Sequence, residues 1–218
     1  MQPQALVFEM IEPAAALRIT PDRRANAVKL EDLLNWEGSG WPDFAMYYPI
    51  FAAAPEAAIF GGGTSKEDVR RAVTEGAAVV FGDGASLFGL DTPLPSDQHA
   101  RRVRMQGEAH CGALPDSLLP GMVEAQRLRD AALARAAIAA WEHARASSDA
   151  PRVVVIAGNG HAREDWGATA MLRDHFGGQV VVEALGQYET GTVIDGPFTS
   201  TLTTEPAERA DPCEAFAK

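Results

Sequence analysis

The chain has 218 residues, 46% of them hydrophobic, which is ample for one globular domain (1–218) with a sizeable core. Its 19 basic and 30 acidic side chains leave a formal charge of −11, which argues against a nucleic-acid surface and against adhesion to anionic lipid. No stretch reaches the roughly 18 apolar residues of a membrane span, so no transmembrane segment is expected, and Met1-Gln2-Pro3-Gln4 carries neither the basic nor the apolar region of a secretory signal peptide.

Ala5-Leu6-Val7-Phe8-Glu9-Met10 reads as a short buried strand ending in a carboxylate, and Pro13 opens an alanine-rich helical segment. Val28, Leu30, Leu33 and Leu34 have helical spacing, and Gly38-Ser39-Gly40 predicts the stop. A second helix starts at Trp41-Pro42-Asp43-Phe44 and leads into Tyr47, Tyr48, Ile50 and Phe51, a dense cluster in a chain that is only 7% aromatic. Ala57 to Phe60 is the next strand; Gly61-Gly62-Gly63 closes it, and Ser65 with Asp68 three residues on predicts a capped helix start. Gly82 to Pro95, rich in Gly, Pro and Asp, reads as a loop and candidate mobile flap around Ser86 to Leu90. Pro115 to Arg145 holds the longest helical pattern, followed by a linker over 146–150. Val153 to Ile156 and Gln179 to Leu185 read as strands separated by a helix over 168–176, a parallel βαβ unit expected to close the sheet. The fold class is therefore α/β, with a mainly parallel central sheet flanked by helices and a helical lobe.

The strand at Val153 delivers Gly158-Asn159-Gly160-His161-Ala162-Arg163 to its carboxyl end, where open α/β sheets place ligands. His161 supplies a titratable ligand and Arg163 a fixed cation. Gly107-Glu108-Ala109-His110 is a second histidine pattern; beside Cys111, His110 reads as a metal ligand or as a residue at the entry to the long helix. Glu9, at the end of a core strand, must be paired or ligating, because an unpaired buried charge is costly; Arg129 and Arg163 are the cations considered for it. Tyr47 and Tyr48 carry phenols near Trp36, Trp41 and Phe44, and a tyrosinate can ligate ferric haem while aromatic rings stack on a porphyrin face. No Gly-x-Ser-x-Gly elbow, P-loop or GxGxxG occurs. Cys111 and Cys213 either remain thiols or close a loop of about 100 residues, worth up to roughly 4.7 kcal/mol.

Several blocks in order along the chain resemble the ChaN family of haem-binding uptake lipoproteins, a branch of the Tiki superfamily. They are Val7-Phe8-Glu9-Met10, then Trp36 through Ser39-Gly40-Trp41-Pro42-Asp43-Phe44 with Tyr47, Pro49 and Ile50, then His110-Cys111 with Pro115. After these come Met122, Gln126 and Arg129-Asp130-Ala131, then Gly158 through Arg163 with Asp165-Trp166-Gly167, and Asp211-Pro212-Cys213. The family's opening strand and Gly-Glu-x-His-Asp type motif would lie ahead of Met1, so the chain is expected to be truncated there relative to the family, and Gly61-Gly62-Gly63 replaces a more polar turn.

The resemblance implies haem binding in iron acquisition, a homodimer able to hold haems face to face, and a lipoprotein location in the cell envelope on the periplasmic face, without a demonstrated enzyme activity. Tyr47 or His161 is the expected iron ligand. Arg163 and Arg129 are expected on the propionates, Trp41 and Phe44 on the macrocycle, and Asn159 beside them. The alternative, from the wider superfamily, is a divalent-metal-dependent hydrolase, an esterase or peptidase, with Glu9, His161 and His110 as metal ligands or Glu9 and His161 as catalytic groups.

Overall fold

The computed structural model describes residues 2–206 and 213–214; Asp211 and Pro212 of the last block lie outside these. The chain forms two compact units, one of residues 1–64 and 132–158, the other of residues 65–131 and 159–218.

The first unit is built on three strands, β1 (Ala5–Phe8), β2 (Ala58–Gly61) and β3 (Val153–Ile156), all parallel in the order β2-β1-β3. Ala5 registers with Ala58 on one side and with Val153 on the other. β1 is therefore central, and all four of its residues are buried, as expected for an uninterrupted apolar run in a parallel sheet. Helices α1 (Pro13–Ala16), α2 (Pro21–Arg24), α3 (Ala27–Leu34) and α4 (Tyr48–Ala53) follow β1. Phe8 stacks on Phe51 with centroids 4.3 Å apart, and Leu30, Trp36 and Phe44 complete that core. α3 stops earlier than the glycines suggest: Asn35 takes the left-handed conformation (φ 47°) and caps it, a role its short polar side chain tolerates. The buried Arg24 donates to the carbonyls of Phe51, Ala54 and Ala57, closing the carboxyl end of α4.

The glycine triplet is explained by close approach. A Cβ on Gly62 would stand 2.5 Å from Leu133 Cδ1, and one on Gly63 would stand 2.8 Å from the carbonyls of Glu9 and Ile11. Larger residues there would push the strand end off its neighbours.

The second unit holds α5 (Lys66–Glu75), α6 (Ala77–Phe81), α7 (Ser96–Ala109), α9 (Asn159–Ala162), α10 (Gly167–Phe176), β4 (Leu185–Glu189) and β5 (Ser200–Thr204). The long helix α8 (Leu119–Arg145) starts in this unit and ends in the first. The expected cap on α5 is present: Ser65 Oγ accepts the Asp68 N–H at 3.1 Å and donates to the Asp68 carboxylate at 2.9 Å.

Three expectations need correction. The segment over 179–185 is not a strand and does not close the central sheet. Gly177 and Gly178 both turn left-handed, Val181 is 85% exposed, and Arg173 holds the Val182 carbonyl at 2.8 Å; the β-branched run has no sheet face to bury. The strand begins instead at Leu185 and pairs in parallel with β5 in a separate two-stranded sheet. Gly82 to Pro95 is not a free flap: it contains a 3-10 turn over 85–88, Leu90 is buried, and Arg127 donates to the carbonyls of Gly89 and Thr92. Residues 96–109, where no element is expected, form α7, whose arginines and glutamines have good helix propensity but no strong apolar stripe.

Candidate functional site

In the first unit, β1 delivers Glu9 to the carboxyl end of the sheet, where it is 6% exposed. Its Oε2 accepts the Gly158 N–H at 2.8 Å, just beyond β3, so the carboxylate ties together the ends of two neighbouring strands. The aromatic segment packs beside them. The Tyr47 ring lies 4.9 Å from Trp36, Trp36 lies 5.1 Å from Phe44, and the Trp36 indole donates to the Pro42 carbonyl at 2.7 Å. Phe44 is 2% exposed and belongs to the core, while Trp41 and Tyr47 are half-buried at its edge. Burial, reinforced by the negative charge of Glu9, raises the Tyr47 phenol above its ordinary pKa. Among the described residues its hydroxyl makes no hydrogen bond.

In the second unit, His161 lies in the single-turn α9, so the expected loop at Gly158 to Arg163 is partly helical. His161 is 4% exposed and its Nδ1 stands 2.6 Å from Oδ1 of the fully buried Asp130. A carboxylate accepts, so Nδ1 carries the proton. Gln126 Nε2 lies 3.1 Å from His161 Nδ1 and 3.3 Å from Nε2; with the Nδ1 proton given to Asp130, Nε2 is the ring atom left to accept from the amide. Gln126 and Asp130 sit four residues apart on α8 and so share one helix face.

Arg163 is 1% exposed. Its guanidinium forks onto Asp165 at 2.6 and 2.9 Å, reaches Asp195 at 3.2 Å and lies over the Trp166 ring, 3.7 Å from its centroid. Burial works against this charge, but the two aspartates outweigh it and hold the pKa above its usual value. The cation thus pairs with aspartates of its own unit, and this is the pairing that replaces the one considered with Glu9. Arg102, 7% exposed, faces the same Trp166 ring at 5.1 Å; burial lowers its pKa although Asp130 opposes the shift. Asn159 exchanges two hydrogen bonds with the backbone of Gln187. Arg129 is half-buried on α8.

His110 is not at a helix entry but at the carboxyl end of α7, where Nδ1 donates to the Gln106 carbonyl at 2.8 Å. Among the described residues no group of three or more His, Cys, Asp or Glu side chains is placed to hold a metal ion, so the divalent-metal alternative through Glu9, His161 and His110 has no support. Cys111 and Cys213 form a disulfide with their Cα atoms 5.7 Å apart, which decides between the two cysteine readings.

Gln126, Asp130 and Asp165 stand in the blocks that resemble the family but carry no assigned role there, and Arg102 is not singled out by the sequence at all. The i,i+4 spacing of Gln126 and Asp130 was a usable signal, since two polar side chains recur on the face of a helix that otherwise buries alanine and leucine. Nothing local marks Arg102, because its burial depends on Trp166, sixty-four positions away.

The donor set fits a haem better than a bare metal: the Tyr47 phenol makes no hydrogen bond among the described residues and sits against tilted aromatic rings, and among those residues no three His, Cys, Asp or Glu side chains converge. The profile of a known protein family, described as haem-binding uptake, Tiki superfamily, ChaN, matches residues 1–172. A solved structure described as cofacial heme binding to ChaN of Campylobacter jejuni is similar in fold, with a TM-score of 0.58, 16% sequence identity, and coverage of 88% of this chain and 70% of that one. No curated protein matches the chain. The extent of the profile match shows that this chain belongs to the ChaN family of the Tiki superfamily, the haem-binding uptake proteins.

Proposed function

We propose that this protein binds haem in iron acquisition, with Tyr47 as the iron ligand. The observation that carries the reading is the Tyr47 phenol, half-buried against Trp36 and without a hydrogen-bond partner among the described residues. His161 is a weaker candidate, since Asp130 and Gln126 already occupy both ring nitrogens. Bound haem would supply a ferric centre that the Tyr47 phenolate oxygen could ligate. Phe44 then acts from behind, holding Trp36 at its tilt, while Trp41 and Tyr47 form the accessible edge of the cluster.

We place this activity in the cell envelope and in a homodimer. The Cys111–Cys213 disulfide supports the location, because such bonds persist in oxidising compartments. Cofacial haem binding, described for the Campylobacter jejuni protein, supports the dimer, since each copy would contribute one haem.

The test is a haem titration followed by absorbance. The parent protein is expected to give a saturable Soret band at stoichiometric haem, and Tyr47→Phe to lose or shift it. A Tyr47→Phe spectrum and affinity equal to the parent's would overturn the assignment, and a flat parent titration would overturn haem binding itself.

A further inference from the structure

Three guanidiniums face the buried Trp166 ring: Arg163 at 3.7 Å, Arg101 at 4.8 Å and Arg102 at 5.1 Å from its centroid. Arg163 is held by Asp165 and Asp195, and Arg101 has Asp165 at 3.8 Å. Arg127, whose charge also acts on Arg102, is paired with Glu124 at 2.8 Å. Arg102 is different. It is 7% exposed, yet its guanidinium finds only the neutral Gln98 amide among the described residues, which accepts from Nη2 at 3.3 Å. Its Nε and Nη1 have no hydrogen-bond partner there. A guanidinium carries five N–H donors in a rigid fork geometry. Whichever Nη2 hydrogen Gln98 takes, the other still pairs with Nε–H or with an Nη1–H, so one two-pronged edge stays unused.

The same unit holds a second buried charge with an unused atom. Asp130 is fully buried, its Oδ1 takes the His161 Nδ1 proton at 2.6 Å, and its Oδ2 has no partner among the described residues. Of the negative charges acting on Arg102, that of Asp130 acts most strongly, but its Oδ2 does not bond to the guanidinium. Buried polar atoms are nearly always hydrogen-bonded, and buried charges are the costliest to leave without partners. A guest that serves both side chains must offer acceptor oxygens to Arg102 and an O–H to Asp130. A fully deprotonated oxyanion fails the second condition, because a carboxylate only accepts and repels it.

We propose that Arg102 and Asp130 bind a small protonated oxyanion of the hydrogencarbonate or hydrogenphosphate class. Arg102 takes two of its oxygens on the unused edge, and the O–H of the guest donates to Asp130 Oδ2. The His161 bond to Oδ1 fixes the carboxylate and leaves Oδ2 for the guest. Both side chains are more than nine-tenths buried, which restricts the guest to a few heavy atoms. The site lies wholly within the second unit and does not depend on haem ligation by Tyr47.

The test is isothermal titration calorimetry of the full chain with inorganic phosphate, hydrogencarbonate and sulfate, each at neutral pH and constant ionic strength in a buffer free of other oxyanions. Sulfate resembles phosphate in shape but carries no O–H under these conditions. Saturable binding of phosphate or hydrogencarbonate is expected, at least about a hundredfold tighter than that of sulfate, because a site built to hydrogen-bond a guest's O–H rejects the analogue that lacks it. The tighter of the two protonated ions identifies the guest. Arg102→Gln should abolish binding, and Asp130→Asn, whose amide donates as well as accepts, should erase the discrimination against sulfate; circular dichroism verifies that each variant is folded. The parent protein's selectivity is a test that needs no variant. Absence of saturable binding by either protonated ion, the result if water alone serves Arg102 and Asp130, would overturn the proposal. So would sulfate binding as tight as that of phosphate, or binding unchanged in folded Arg102→Gln.

Discussion

Substituting His161 by alanine separates a structural role for this side chain from a role as iron ligand. Asp130 is fully buried, its Oδ1 bonds to His161 Nδ1 at 2.6 Å, and its Oδ2 has no hydrogen-bond partner. His161→Ala therefore leaves a buried carboxylate without a hydrogen bond among the described residues. Leaving a buried charged acceptor without its hydrogen bond costs about 3 kcal/mol, because the group keeps its desolvation penalty and loses its donor. For a chain of this size each kcal/mol moves the melting temperature by about 2–4 °C, so the expected fall in Tm is about 6–12 °C. Adding Asp130→Ala removes the stranded charge, and the double variant should melt no lower than His161→Ala alone. Tyr47→Phe removes a hydroxyl that bonds to nothing described, so its Tm should stay within about 2 °C of the parent. Calorimetry measures both, and haem titration well below each transition completes the comparison: His161→Ala should bind haem once folded, and Tyr47→Phe should not. A His161→Ala protein that melts with the parent, yet has lost haem, would refute the reasoning.

Two further outcomes follow from the same geometry. Because burial and Glu9 hold the Tyr47 phenol protonated above its ordinary pKa, ligation must release a proton, so haem affinity should rise with pH below that pKa; Glu9→Gln removes the repelling charge and should move the rise to lower pH, read by titrations from pH 6 to pH 9. Arg127→Ala removes the donors that hold Gly89 and Thr92 at 2.7 and 2.8 Å, which should cost about 3 kcal/mol and open the segment over 82–95 to limited proteolysis; cleavage there no faster than in the parent would count against the anchoring.

Much of the first unit was legible along the chain, because its signals are local. Four consecutive residues from Ala5 with no polar side chain announce a strand buried on both faces, and the β-branched run Val153 to Ile156 announces the strand beside it. Ser65 followed by Asp68 sets a helix start by chemistry contained within four residues. The aromatic density from Trp36 to Phe51 marked a cluster, and it is one. The ordered family blocks carried the remainder, since their spacing is itself a fold signature.

What tertiary structure alone decided concerns partners distant in sequence. The run at Val180 to Val182 has strand composition, yet it enters neither sheet: Val181 is exposed, and β4 begins at Leu185 and pairs with β5. Arg163 has the chemistry of an anion-binding cation, but Asp165, Asp195 and Trp166 surround it and fix its charge within the fold. His161 has the look of a ligand until Asp130 and Gln126 arrive from α8, 31 and 35 residues earlier. Side-chain type and spacing set what each group could do. Which lone pairs and protons remained available was settled by burial and by the groups that folding brought alongside, because a buried polar atom must find its partner inside the protein.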